Sequence, residues 1–538
     1  MSTVLYLNGN IYTLDAYVPY AQAMAIDIQS GRIVALGTND EVRRSGGAHA
    51  ELIDLHGRTV VPGFIDAHIH LLETAYRSQR IDAAACTSED EVAELVRTRA
   101  VQTPAGYWIQ GGHWDRNLWS DTRFPTKASL DAVAPDHPVA LSSKDGHLLW
   151  VNSRALEYAG ITALTPDPAA GAILRTGGGE PTGVLQEPAA TRLVFDVITP
   201  PDPQVSRRLL EQQVAKLQRS GITTIHDIEG ELSLHIFRQL CAEDKLGVRV
   251  QMIMPRQMLP LLPSLGLNHA ENDLLHIGGI KIFADGTLGS QTAAMLDSFE
   301  GSPGNRGILA LPEQEMMETV RAAAEQDLMI AIHAIGDRAA HVALNSIEYA
   351  QRALERSQST SFRSSKHVRY RLEHVQLITP EDLGRMRRLG VIASIQPFHA
   401  VADRDIAERY WGKRHRRAYA YHTMYEMGIP LALGSDAPVE TFDPLDILYA
   451  ATMRREPATR RLSWLPEQAL SMSSALMGYT LGAAYAGAEE SRKGSLTVGK
   501  LGDAVVLREN LLRIGQAHLP ENGVYATILG GKVVYGEL

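Results

Sequence analysis

The chain has only two cysteines in 538 residues, Cys86 and Cys241. So few cysteines give neither a disulfide framework nor a thiolate zinc knuckle, and any metal must be held by nitrogen and oxygen. Aromatic residues are also scarce, at 6%, but 45% apolar residues still describe a globular chain rather than a fibrous or disordered one. No stretch approaches the roughly eighteen consecutive apolar residues of a membrane span. The opening residues, MSTVLYLNGN, lack the basic start and apolar run of a secretory signal. These absences predict residence in a reducing cytoplasm, without a membrane partner. Nor is there an excess of positive charge: 52 Lys and Arg stand against 62 Asp and Glu, a net charge of −10, which argues against a nucleic-acid partner. The basic clusters Arg385 to Arg388 and Lys413 to Arg417 are local and read as solvated helix faces.

The length exceeds one ordinary core but suits a barrel of roughly 250 residues or more, with insertions, plus a smaller domain. Val4 to Thr13, Gln22 to Ile28 and Arg32 to Leu36 read as short strands separated by turns, and the same texture returns in Leu501 to Leu507, Tyr525 to Leu529 and Lys532 to Tyr535. Matching termini can pair in one β-sandwich, predicted over residues 1–61 plus 491–538. Between them, apolar strand-like runs alternate with helical patterns, the mark of parallel βαβ units. The candidate strands are Val61 to Ala67, Gly221 to Asp227, Val248 to Met254, Ile277 to Ala284, Met329 to Ala334, Tyr370 to His374, Val391 to Gln396 and Leu431 to Ser435. Eight such units predict an α/β fold, a TIM-like (β/α)₈ barrel over 62–490. Residues from about 78 to 210 exceed a single connection and read as an insertion over the barrel mouth.

Barrel enzymes build their sites at the carboxyl ends of the strands. His68 and His70 end the first strand two residues apart, and on an extended chain such residues point to the same side. His333, His374 and Asp436 end three later strands, supplying nitrogen and oxygen suited to zinc or a similar ion. Lys281 lies inside an apolar strand, where an ammonium is costly unless it is paired, for instance with Asp285, or chemically altered.

The sequence resembles the amidohydrolase superfamily, and within it the family 3, YtcJ-like group typified by N-substituted formamide deformylases. The resemblance is carried by Pro62 to His70, Lys281 to Ser290, His333 to Asp337, Glu373-His374, Gly434 to Pro438 and Lys500 to Ala504. It implies one or two divalent metals, zinc by preference. One would be bound by His68, His70, Lys281 and Asp436, and the other by Lys281, His333 and His374. Lys281 would be N6-carboxylated to a bridging carbamate. The implied reaction is hydrolysis of a non-peptide amide, such as an N-substituted formamide or N-acyl amine, by metal-activated hydroxide with Asp436 as general base and acid. Carbamates, cyclic imides and esters are alternatives for the same site, as is a non-catalytic, regulatory barrel. The small-molecule pocket would draw on His113, Trp114, Asp115, His147 and Trp150 from the insertion, with His147 on the substrate carbonyl or oxyanion. Phe283 and Phe398 would meet an apolar substituent. His226 reads as a supporting residue and His399 as a weaker candidate still. Members of the superfamily are often dimers, which extends the resemblance to a homodimer.

Overall fold

The computed structural model describes residues 3–45, 49–121, 123–144, 148–168, 171–199, 201–265, 273–358, 368–457, 459 and 461–538. They form two compact units, one of Ala75–Leu209 and one of Met1–Thr74 with Leu210–Leu538.

The larger unit contains an eight-stranded parallel sheet of β1 (Phe64–Ile69), β2 (Ile222–Asp227), β3 (Arg249–Pro255), β4 (Leu275–Phe283), β5 (Met329–Ala334), β6 (Tyr370–His374), β7 (Ile392–Ile395) and β8 (Leu431–Leu433). The strands pair strictly in chain order. All eight lie where the apolar runs predict them, because a barrel strand is covered on both faces and reads as a continuous apolar run. Sheet closure is tied just past the strands: the Asp436 amide donates to the His68 carbonyl at 2.7 Å, and the His70 amide to the Ala437 carbonyl at 2.9 Å. The last strand's carboxylate is therefore brought beside the first strand's histidines by backbone pairing alone. Intervening helices carry ordinary stop and start signals. In Pro380–Leu389, between β6 and β7, Thr379 caps the Asp382 amide, Pro380 opens the first turn and Gly390 ends the helix in the left-handed region at φ 66°. Arg387 and Arg388 in its last turn are exposed, as expected of a solvated face, whereas Arg385 turns inward to pair with Asp382 at 2.9 Å and Glu348 at 3.2 Å.

The same unit holds a four-stranded sheet and a six-stranded sheet packed on a shared core. The first orders Arg32–Gly37, Ala23–Asp27, Thr3–Leu7 and Glu51–Asp54; the second orders Lys532–Tyr535, Val524–Leu529, Ala504–Leu507, Thr59–Pro62, Asn10–Tyr12 and Tyr20–Ala21. Val4, Tyr6 and Ile26 from one sheet meet Val60, Val506 and Ile528 from the other in a single buried cluster. The chain's two ends thus meet in one sheet, through Thr59–Pro62 against Ala504–Leu507. Two strand limits differ from expectation. Val4 to Thr13 divides at Asn8, which sits at φ 58°, and its halves enter different sheets. Val61 to Ala67 divides at Gly63, where a Cβ would overlap the Thr223 hydroxyl on β2, so the chain leaves the sandwich and enters the barrel at a position only glycine fits. Asp503, in the Lys500 to Ala504 motif, is structural: it forms a buried two-point ion pair with Arg249 at 2.7 and 2.9 Å and accepts from the Gly530 amide at 2.8 Å.

The unit Ala75–Leu209 is an α/β body with its own six-stranded sheet, ordered Ala172–Arg175, Pro181–Gln186, Leu148–Val151, Val139–Ser143, Ile109–Trp114 and Ile81–Asp82. Its core is built around Trp114, Trp119 and Trp150, with ring centroids 5.8 to 6.4 Å apart. No helix among the described residues is long and apolar enough to cross a membrane.

Candidate metal centre

His68 is fully buried, and its Nδ1 lies 2.6 Å from the Glu373 carboxylate. A carboxylate here only accepts, so Nδ1 carries the proton and the Nε2 lone pair is free. That Nε2 stands 3.3 Å from both Asp436 Oδ1 and Lys281 Nζ. His70 is set the same way: Nδ1 donates to the Ile228 carbonyl at 2.7 Å, leaving Nε2 3.3 Å from Asp436 Oδ1. Two imidazoles with fixed tautomers and one carboxylate converge, the arrangement in which outer hydrogen bonds orient metal-binding histidines.

Glu373 is itself held by Arg371, whose Nε donates to Oε1 at 2.8 Å and whose Nη2 donates to Oε2 at 3.1 Å. Arg371 has no exposed surface and also reaches the Ala67 carbonyl, Ser394 Oγ and His226 Nδ1, at 2.6 to 2.9 Å. Burial alone would raise the Glu373 carboxyl, but Arg371 and His68 hold it well below its ordinary value. His226 bonds Arg371 and is not among the side chains that converge on Asp436.

On the other side of Asp436, His374 Nδ1 bonds Gln396 Oε1 at 2.8 Å. The His333 ring lies 4.6 Å from that of His374, and its Nε2 donates to the Gly286 carbonyl at 2.9 Å, so Nδ1 is the atom left free. Burial, then the neighbouring Lys281, presses the His333 pKa down to about 3, and burial drives His374 well below its usual range, so both imidazoles are neutral and able to bind a cation. The ion pair of Lys281 with Asp285, one of the readings of the sequence, is not formed: Asp285 instead accepts the backbone amides of Ala294, Ile335 and Gly336 at 2.8 to 3.1 Å. Burial brings the Lys281 pKa down to about 8, against the pull of Glu373 and Asp436.

His399, a weaker candidate from the sequence, stands beside Asp436. It is buried, both of its ring nitrogens lack hydrogen-bond partners, its Nε2 is 3.5 Å from Asp436 Oδ2, and its ring stacks on His374 at 5.8 Å. The usable signal was its place just past β7, in Gln396-Pro397-Phe398-His399. Ligand atoms of His68, His70 and Asp436 lie within 4.8 Å of one another, and so do those of His374, His399 and Asp436. Asp436 is common to both groups. Burial favours its neutral form, yet its contacts with the neighbouring imidazoles, that with His68 first, hold it well below the ordinary carboxyl value. The donor set is all imidazole nitrogen and carboxylate oxygen, with buried His399 nitrogens that nothing else satisfies, and it suits a divalent cation.

Of the predicted substrate-facing residues, Phe283 is 51% exposed and lies against the His333 ring at 5.3 Å; Phe398 is half-buried. In the other unit, His113 is exposed, at φ 64°, and bonds Asp82 at 3.1 Å; Asp115 is half-buried. Trp114 and Trp150 are corrected: they are 1% and 0% exposed, with indole N–H groups spent on the Leu141 and Thr126 carbonyls, so they pack the core and offer no face to a ligand. His147 lies outside the described residues.

A family model described as the amidohydrolase family matches residues 51–535. The chain belongs to the amidohydrolase family. It is 30% identical to Protein LONG AFTER FAR-RED 3 of Arabidopsis thaliana, over 99% of this chain and 92% of that protein. It is 28% identical to N-substituted formamide deformylase of Arthrobacter pascens, over 99% and 98% of the two chains. A crystal structure of an uncharacterized metal-dependent hydrolase from Pyrococcus furiosus is similar with a TM-score of 0.79 at 27% identity, covering 95% of this chain and 100% of that one. Family membership and the histidine–aspartate cluster together make this amidohydrolase a metal-dependent hydrolase of carbon–nitrogen bonds.

Proposed function

We propose that this amidohydrolase cleaves the amide bond of a small N-substituted formamide or N-acyl amine. The observation that carries the reading is Asp436, an ionised carboxylate shared by the His68/His70 and His374/His399 groups. The full-length similarity to N-substituted formamide deformylase supports the substrate class. Zinc, as one or two ions held by His68, His70, His333, His374, Asp436 and a carboxylated Lys281, would supply Lewis acidity that polarises a carbonyl and makes water nucleophilic at neutral pH.

The residues' own part follows from their charge and position. Lys281, buried and with its pKa lowered, presents a neutral amine in useful amount; its nitrogen bonds to the carbon of CO₂ and loses a proton, giving a carbamate anion in place of an unfavourable buried cation. Asp436 accepts the proton of the attacking water as oxygen bonds to the carbonyl carbon, then delivers it to the nitrogen as the C–N bond breaks. Glu373 and Arg371 hold His68 in one tautomer throughout. Phe283, exposed beside His333, offers an apolar surface to the nitrogen substituent.

The test is turnover by zinc-loaded protein across N-formyl amines, N-acyl amines, carbamates, cyclic imides and esters, read by mass spectrometry. Release of amine from formamides or N-acyl amines supports the proposal. Cleavage confined to esters, carbamates or imides would overturn it.

A further inference from the structure

The unit Ala75–Leu209 contains a cavity of about 360 Å³, walled entirely by its own residues and sharing none with the metal centre. That volume lies within the range of small-molecule sites. Apolar atoms dominate the wall, with Tyr107, Trp108 and Leu209 prominent. Arg80, Arg99 and Arg208 reach the same cavity from three separate segments, and among the described residues no aspartate or glutamate lines it. In a chain of net charge −10, an acid-free wall with three guanidinium groups runs against the composition.

Arg99 is the informative member. It projects from the last turn of Glu89–Gln102, is half-buried, and its hydrogen bond is to a neutral group, the Gln79 side-chain carbonyl at 2.9 Å. A guanidinium partly withdrawn from water without a carboxylate opposite it carries an uncompensated desolvation cost. Its planar donor fork matches a carboxylate in two-point contact. We propose that this cavity is a binding site for an amphipathic carboxylate, its anionic end on Arg99 and its flat apolar body against Tyr107, Trp108 and Leu209. A carboxylate is favoured over a phosphate because Arg80 and Arg208 are exposed and Arg99 alone of the three is drawn in from water, over a mainly apolar wall, which suits a monoanion with a hydrophobic body. The proposal does not depend on the assigned substrate.

The experiment is calorimetric titration of the full-length, metal-loaded protein with 4-phenylbutyrate, with 4-phenylbutanol as the uncharged counterpart and inorganic phosphate as competitor. The carboxylate is expected to bind saturably, the alcohol at least about tenfold more weakly, the difference worth one charge-assisted contact. Arg99→Gln should weaken the carboxylate by a similar factor. Val205→Trp, which fills the cavity from another wall without altering charge, should block it, and Asp436→Asn should leave it unchanged. Absence of saturable binding overturns the proposal, as does binding indifferent to both Arg99→Gln and Val205→Trp. Binding lost in Asp436→Asn would place the ligand at the metal centre and overturn it too. Displacement by phosphate at equal concentration would overturn the carboxylate class.

Discussion

Replacing Glu373 by Gln isolates the buried hydrogen bonding behind His68. The change keeps the side chain's shape and removes its charge, which is fixed at 2.6 Å from His68 Nδ1 and 2.8 Å from Arg371 Nε. A glutamine oxygen accepts from one of these donors, and its NH₂ group must then face the other. Removing one partner of a buried ion pair costs about 3–5 kcal/mol. Arg371 keeps its bonds to Ala67, Ser394 and His226, so the low end, about 3 kcal/mol, is expected in urea unfolding. Loss of the carboxylate behind a metal-binding histidine lowers affinity about 10–100-fold, readable by zinc titration against a competing chelator. The pH dependence has a defined sign. Because Glu373's folded pKa is depressed, its stabilisation is present above the ordinary value of 4.5 and is lost as pH falls toward the folded value. The variant should therefore lose less stability than wild type on acidification below that value. Zinc affinity within twofold of wild type, with an unchanged urea midpoint, would refute the reasoning.

Further outcomes follow from other contacts. Protein loaded in ¹³C-bicarbonate should show a carbamate carbon by NMR, absent in Lys281→Met, which should also lose turnover; wild type with no such signal counts against carboxylation. His399→Gln removes the imidazole 3.5 Å from Asp436 and should lower zinc affinity about tenfold; an unaltered titration would leave His399 a packing residue. Gly63→Ala forces a methyl into Thr223 and should cost about 1–3 kcal/mol, seen as a lowered Tm; a Tm equal to wild type would show that β1 and β2 separate easily.

The barrel was legible because each strand is a continuous apolar run, and the convergence of His68, His70, His374 and Asp436 was legible because each of them follows or ends a barrel strand. The two breaks at Asn8 and Gly63 were not. Gly63 is required by the approach of Thr223, some 160 residues away in sequence, and no local pattern records that contact. Trp114 and Trp150 misled because an aromatic residue beside histidine and aspartate looks the same whether it faces a ligand or a core. Arg371, like Lys281, is a charged residue in an apolar strand, and the same burial argument points to a partner, Glu373, two residues on. His399 lay on a helix after β7, where strand periodicity gives no orientation.

The most direct test of the central claim compares zinc-loaded wild type with Asp436→Asn on one N-substituted formamide, measuring amine release and bound zinc together. The account predicts that the variant folds, binds zinc at the remaining histidines and loses turnover by about 10²–10⁴-fold, the usual contribution of a positioned acid–base group. Amine release by Asp436→Asn at the wild-type rate would contradict it.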